Sequence, residues 1–223
     1  MKRLSSGLVL LHEDRDIIAL DKPAGLLSIA AADKREKTIY SILAEYLRRK
    51  GCPPPAVVHR LDRDTSGVMI FARSAWVKKK IMDNWDEIVA ERRYVCLAEG
   101  EFTEETGVID LPLGEDRGGR VVVKEGGKPA ITRWKLLNAG KGFSLLALEL
   151  ETGRRNQIRA HLAALGHPVA GDKKYHAKTD PLKRLCLHAE KIVFYHPRDG
   201  KLMEFESNFQ NLYSIIDKHL SFY

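Results

Sequence analysis

Two carboxylates, Asp62 and Asp64, stand in the run His59-Arg60-Leu61-Asp62-Arg63-Asp64-Thr65-Ser66-Gly67, among Arg60 and Arg63. An enclosed carboxylate beside a guanidinium stays ionised, because the cation lowers its pKa by about 1–3 units for a close pair. In that form it can attack as a nucleophile or take a proton as a general base. The bland alternative is a turn in which Asp64, Thr65 and Ser66 bond backbone amides. For Asp64 and Ser66 the turn is the favoured expectation; for Asp62 both readings stand open.

A second constellation is Glu151-Thr152-Gly153-Arg154-Arg155-Asn156-Gln157-Ile158-Arg159, a glycine turn and a helix start dense in donors. Helix N-termini and arginines both attract phosphate or carboxylate. The glycine pattern is neither a P-loop nor a dinucleotide fingerprint, so no nucleotide cofactor is expected. Arg154 and Arg155 are equally well read as an exposed basic turn. His161, His167, His176, His188 and His196, with Asp172, invite a metal reading, but no pair has ligand spacing and none is expected. Tyr94 reads as a half-buried strand residue sharing a face with Cys96 and Ala98. Beside an RNA site its ring could stack on a base.

The elements that must position these groups follow from periodicity. Apolar runs at Leu8 to Leu11, Ile17 to Leu20, Ala56 to His59 and Val68 to Ala72 predict strands, so the Asp62 loop is held by core at both ends. Thr38 should cap a helix carrying Ile39, Ile42, Leu43, Tyr46 and Leu47, with Gly51 as its stop. Ser74 should cap another, through about Trp85. Strands are expected at Tyr94 to Ala98, Arg120 to Lys124, Ala130 to Leu136, Phe143 to Glu151, Lys191 to Tyr195 and Leu202 to Glu206. A helix from about Asn156 to Leu165 sets Arg155 and Arg159 one turn apart, and a terminal helix should contain Leu212, Ile215, Ile216 and Leu220. Many strands with few helices predict an α+β fold: a mixed, largely antiparallel sheet core with helices on its faces. The 223 residues are read as one domain, 1–223.

Composition narrows the partners. With 44% apolar and 30% charged residues the chain is globular, and no apolar run could cross a bilayer. The apolar patch after Lys2 and Arg3 is cut short by His12-Glu13-Asp14-Arg15-Asp16, so it fails as a secretory signal. Cys52, Cys96 and Cys186 match no disulfide or metal framework, which suits a reducing cytoplasm. The net charge of +7 is segregated. Arg48 to Lys80 holds nine basic against two acidic residues, and Glu151 to Lys201 eleven against five, leaving the rest net acidic. Two basic segments that coincide with the chemical motifs mark a polyanion-binding face.

The residues resemble the RluA-type pseudouridine synthases. The run from His59 to Gly67 is similar to that family's signature. Asp21-Lys22-Pro23-Ala24-Gly25-Leu26 and Gly127-Lys128-Pro129-Ala130-Ile131-Thr132 resemble two further elements. Thr152 to Leu162, continuing through Gly166-His167-Pro168, Gly171-Asp172 and Tyr175, resembles its longest motif, and Leu187-His188-Ala189 with His196-Pro197 the closing one. The resemblance implies an enzyme that rotates a uracil within structured RNA, in rRNA hairpins or tRNA anticodon arms, exchanging a C–N for a C–C glycosidic bond. It implies no metal, cofactor or nucleotide, no membrane, and a cytoplasmic, monomeric protein. Asp62 would act on sugar C1′ or C2′, Arg159 would pair with it, and Tyr94 would stack on the flipped base and assist proton transfer. Arg60 would fill the vacated stem. Arg63, Lys78, Lys79, Arg154, Arg155, Asn156 and Gln157 would contact RNA. The chain departs from the pattern at Arg155-Asn156, where Thr-His is usual, and at His176, where glycine is usual. It resembles the short branch that starts directly at the catalytic domain. A binding module without catalysis, or an unrelated carboxylate hydrolase, is the alternative.

Overall fold

The computed structural model of the chain describes residues 2–30 and 36–207. Along it run β1 (Lys2–Arg3), β2 (Val9–Glu13), β3 (Ile17–Lys22), α1 (Ile39–Arg49), β4 (Ala56–Val57), β5 (Ser66–Ala72), α2 (Ala75–Asp83) and α3 (Trp85–Ile88). Then follow β6 (Val89–Glu99), β7 (Thr106–Asp110), β8 (Leu113–Glu115), β9 (Val121–Val123), β10 (Ile131–Gly140) and β11 (Phe143–Leu150). Last come α4 (Gln157–Ala164), β12 (Leu187–Tyr195) and β13 (Leu202–Glu206). The expected α+β class, with largely antiparallel pairing, is what the described residues form. They group into two compact units, one up to Arg92 and again from Ala189, the other Arg93–His188.

In the first unit, β1, β2, β3 and β5 pair antiparallel in that order, and β13 pairs with β12. All seven residues of β5 are buried, which a strand covered on both faces requires. Ile17, Ile70, Val77, Ile81 and Phe194 meet in its core. Thr38 caps α1 as expected, in a reciprocal box. Its hydroxyl accepts the Ser41 N–H at 3.1 Å while Ser41 Oγ accepts the Thr38 N–H at 2.9 Å. Ile39, Ile42, Leu43 and Leu47 form the buried stripe. Ser74 caps α2, which stops at Asp83, before Trp85; a single separate turn then carries Trp85.

The strand expected over Ala56 to His59 is only β4, two residues long and half-buried. The physical reason lies in the side chain of His59, described below. In the second unit β6, β11, β10 and β7 pair antiparallel, and β8 with β9 forms a hairpin. Leu113, Val121, Ala130, Ala160 and Tyr175 make a small core that seats α4 on this hairpin. The helix expected around Leu212 lies outside the described residues. Among the described residues no helix is long and apolar enough to cross a membrane. The three cysteines are free thiols, and burial pushes Cys186 up to about 12.

Candidate active site

The Asp62 loop spans the gap between β4 and β5, where the chain leaves the ladder and its backbone groups need other partners. Side chains supply them. His59 Nε2 accepts the Ile70 N–H at 2.9 Å, taking the place of a strand carbonyl and ending β4. Acceptance at Nε2 requires a neutral imidazole with its proton on Nδ1. The surroundings enforce that state: burial, with help from the Arg92 charge, pushes the His59 pKa down to about 4. Trp85 packs tilted on the imidazole at 5.7 Å, and Arg92 lies 5.7 Å from the Trp85 ring.

Further along, Ser28 Oγ donates to Leu61 O at 2.7 Å and accepts the Leu61 N–H at 3.3 Å. Gly25 N donates to Arg63 O at 2.9 Å. Lys22, fully buried, donates from Nζ to Arg63 O and Thr65 O at 2.7 Å each and to Pro23 O at 3.1 Å. An ammonium has three donors, and burying it is tolerable only when such partners are met. Gly67 then sits at φ +114°, and a Cβ there would stand 2.0 Å from the Ala189 carbonyl oxygen. Only glycine lets β5 begin at this point. Leu61 and Arg63 are thus pinned on both sides of Asp62, whose half-buried carboxylate is presented by a fixed backbone. The turn expectation needs correction for Asp64: it is exposed and makes no hydrogen bond among the described residues, and Lys22 does the holding.

In the second unit the start of α4 is a satisfied polar chain. Gln157 Oε1 accepts from Thr152 Oγ1 (2.8 Å) and Arg154 N (2.9 Å), while Nε2 donates to Ile131 O (2.9 Å) and Thr132 Oγ1 (3.0 Å). Thr132 Oγ1 meets His161 Nδ1 at 2.9 Å, and His161 Nε2 meets the Leu111 carbonyl at 3.0 Å. The carbonyl can only accept, so the proton is on Nε2; burial lowers the His161 pKa accordingly. Asn156 holds the left-handed conformation at φ 53°, which asparagine tolerates better than most residues. Its Oδ1 accepts from Lys174 Nζ at 3.1 Å.

Arg159, 8% exposed, forks onto Asp172 with Nε–Oδ2 at 2.6 Å and Nη2–Oδ1 at 2.7 Å. Tyr175 lies under the guanidinium at 5.2 Å and donates its hydroxyl to Val121 O at 2.8 Å. His176 takes φ 63° where glycine is usual, and its Nε2 meets Arg120 Nη1 at 2.6 Å, so the turn forms all the same.

The model for "RNA pseudouridylate synthase" matches residues 16–164. The chain belongs to this family. An RNA pseudouridine synthase of Bacillus subtilis, YhcT, is 37% identical over 208 residues, covering 91% of this chain and 68% of the relative. The ribosomal large subunit pseudouridine synthase D of Nitrosomonas europaea is 34% identical over 213 residues, 90% of this chain and 61% of that one. Among solved structures, human RNA pseudouridylate synthase domain containing 4 superposes with a TM-score of 0.78 at 20% identity, over 96% of this chain and 93% of its own. That likeness bears on fold alone.

The pseudouridine synthase, an RNA-modifying isomerase, carries Arg60, Asp62 and Arg63 on one loop, with both arginines exposed. Lys78 and Lys79 follow on α2 in the same unit, and Lys79 pairs with Asp83. Tyr94 stands opposite Leu148 where β6 pairs with β11. Arg154 Nε bonds Pro129 O at 3.0 Å; Arg155 bonds Gly119 O at 2.7 Å and Glu115 at 3.1 Å. Gln157 has all four hydrogen-bonding positions filled within the protein. Sequence reasoning missed the work of Lys22, Ser28, His59 and Asp172. Lys22 and Asp172 each stand inside a motif of the resemblance without a role of their own, and Asp172 is otherwise read only beside histidines as a metal ligand.

Proposed function

We propose that the synthase isomerises specific uridines in structured RNA, an rRNA hairpin or a tRNA anticodon arm, with residues 1–223 acting as one catalytic domain. Asp62 attacks the sugar at C1′ or C2′ of a nucleotide flipped from its stack, the C1′–N1 bond breaks, and the uracil turns. C5 then bonds to C1′, its hydrogen leaves to water, N1 gains a proton, and Asp62 is released unchanged. The observation that carries this reading is the pinned loop. A carboxylate whose neighbours are fixed from Lys22, Gly25 and Ser28 is preorganised, and preorganisation is what an attack on a flipped nucleotide needs.

Arg159 is the cationic partner of Asp62. The Asp172 fork and the Tyr175 ring hold its guanidinium in one orientation, so its charge is presented at a fixed place. Tyr94 stacks on the flipped uracil and assists proton transfer. Arg60 fills the stem; Arg63, Lys78, Lys79, Arg154, Arg155 and Asn156 meet phosphates, and Gln157 orders that turn from within. The synthase works as a monomer in the cytoplasm, where free thiols persist.

The test is tritium release from unmodified rRNA and tRNA transcripts labelled at uracil C5, with no metal or nucleotide added. The native protein should release label, while Asp62→Asn should release none and bind RNA nearly as tightly. Turnover by Asp62→Asn sinks the assignment, and tight binding without release by the native protein points to a binding module.

A further inference from the structure

The first unit holds a basic groove that joins Arg49 and Lys50, at the start of the basic segment from Arg48, to three cations outside that segment. β1 and α1 wall a groove of about 660 Å³ lined by Lys2, Arg3, Lys37, Arg49 and Lys50, with Glu45 the carboxylate among its lining residues. Pairing of Lys2 with Leu10 and Arg3 with Val9 fixes the first two in the sheet ladder. Tyr46 orders the cations. Lys2 and Lys50 lie 4.8 and 4.7 Å from its ring, and its hydroxyl donates to Glu13 at 2.7 Å. Glu45 is shared by Arg48 and Arg49, and Glu13 by Lys50 and Arg73. Lys2, Arg3 and Lys37 make no ion pair among the described residues, so the groove keeps an excess of positive charge.

The arrangement fits an extended polyanion. Lys37 precedes the cap of α1 and Arg49 ends it, a separation of about 18 Å at 1.5 Å per helical residue. Stacked nucleotides at about 3.4 Å per strand would place five or so phosphates over that length. A lipid surface would call for exposed large apolar side chains beside the cations; Leu4, Ile42 and Tyr46 line the groove but none is exposed, and the exposed ones, such as Trp76 and Met82, lie outside it. Lysine is a common guard of an edge strand. Guarding, however, explains neither Lys37 nor the cations at the far end of the helix. The groove also shares its scaffold with the catalytic loop. The first turn of α1 donates from Ile39 N to Leu27 O (2.9 Å) and from Tyr40 N to Ser28 O (3.2 Å), and Ser28 is the residue that grips Leu61.

We propose that this groove binds the ribose–phosphate backbone of the substrate RNA outside the nucleotide being isomerised. The inference rests on RNA being the substrate, and the test separates the two. The Lys2→Ala/Arg3→Ala/Lys37→Ala protein is compared with the native one for binding to a long unmodified transcript across a KCl series. Tritium release is measured on that transcript and on a hairpin holding only the target loop. Loss of three contacts at about 0.7 per phosphate should flatten the plot of log affinity against log salt by about two. KM on the long transcript should rise several-fold, with kcat, thermal midpoint and hairpin kinetics unchanged. An unchanged slope overturns the groove whatever the activity. Loss of binding to phosphatidylglycerol vesicles with the RNA slope intact overturns it in favour of a membrane surface. Absence of release by the native protein from every RNA, with the slope still flattened, refutes the catalytic reading and leaves the groove standing.

Discussion

Acidification should loosen the Asp62 loop through His59, and the size of the effect follows from the structure. The folded imidazole has a pKa of about 4, held there by burial and the Arg92 charge. An unfolded histidine titrates near about 6.5. The folded state therefore takes the proton less readily than the unfolded one. The contribution is complete above pH 6.5 or so and is lost as pH falls toward the folded pKa. At pH 5 the unfolded chain is almost fully protonated at this site and the folded chain hardly at all, which costs about 2 kcal/mol of stability relative to pH 7.5. The local event is loss of the Nε2 acceptor, leaving the Ile70 N–H without its partner.

Urea unfolding of the native protein and of His59→Gln, at both pH values, isolates this site from the other titrating groups. The glutamine oxygen can accept the Ile70 N–H but does not titrate, so the acid-induced loss should be about 2 kcal/mol larger in the native protein. Protection of the Ile70 amide, taken relative to the intrinsic exchange rate at each pH, should fall more over this range in the native protein than in the variant. Equal losses in the two proteins, within about 0.5 kcal/mol, refute the reasoning. So does an imidazole resonance that titrates near 6.5, because it would mean that the neutral state is not enforced.

Three substitutions probe the rest of the framework. Gly67→Ala places a methyl group 2.0 Å from the Ala189 oxygen at a φ that disfavours side chains, and should cost upwards of about 3 kcal/mol or abolish soluble folding; a native-like thermal midpoint would show that β5 can start elsewhere. Lys22→Met removes the ammonium from Thr65 O and from Arg63 O, leaving the latter the Gly25 N–H, at about 1–3 kcal/mol per orphaned carbonyl. Its kcat for tritium release should drop far more than its RNA affinity, and a parallel drop in both would argue that Lys22 serves the fold and not the loop. Asp172→Asn leaves the buried Arg159 without its ionic fork and should lower stability by about 3–5 kcal/mol. Denaturant titration reads this directly, and a loss below about 1 kcal/mol would mean that other partners dominate at Arg159.

Local patterns were legible where their causes are local. The α1 stripe, the Thr38 and Ser74 caps and the stop at Gly51 each depend on residues within one or two turns, and each formed as the spacing predicts. Strand length failed where a distant group intervened. Ala56 to His59 has the composition of a strand, yet His59 ends it by reaching its imidazole to Ile70, eleven positions on. The short strands β1 and β8 carry too few residues for alternation to register. The departures from the family pattern at Asn156 and His176 are both accommodated. Both sit at positive φ, where asparagine and histidine are among the more tolerated non-glycine residues.

The site divided along the same line. The candidate site residues Asp62 and Arg159 lie in dense polar runs and could be singled out, whereas the groups that hold them act from elsewhere in the chain. Lys22 acts 41 and 43 positions away, Ser28 33 away, and Asp172 13 away on a turn of its own. Nothing in a linear pattern distinguishes such a residue from a surface lysine or a turn aspartate. The physics that required them is nevertheless plain. A loop that leaves the sheet takes its N–H and C=O groups into a partly dry region, and each must find a partner or cost about 1–3 kcal/mol. Side chains with several donors, a buried ammonium above all, can meet those groups from below and leave the Asp62 side open. A loop aspartate offered for chemistry between two strands should therefore come with buried polar residues from other elements, whose partners are the loop's carbonyls and not its side chains.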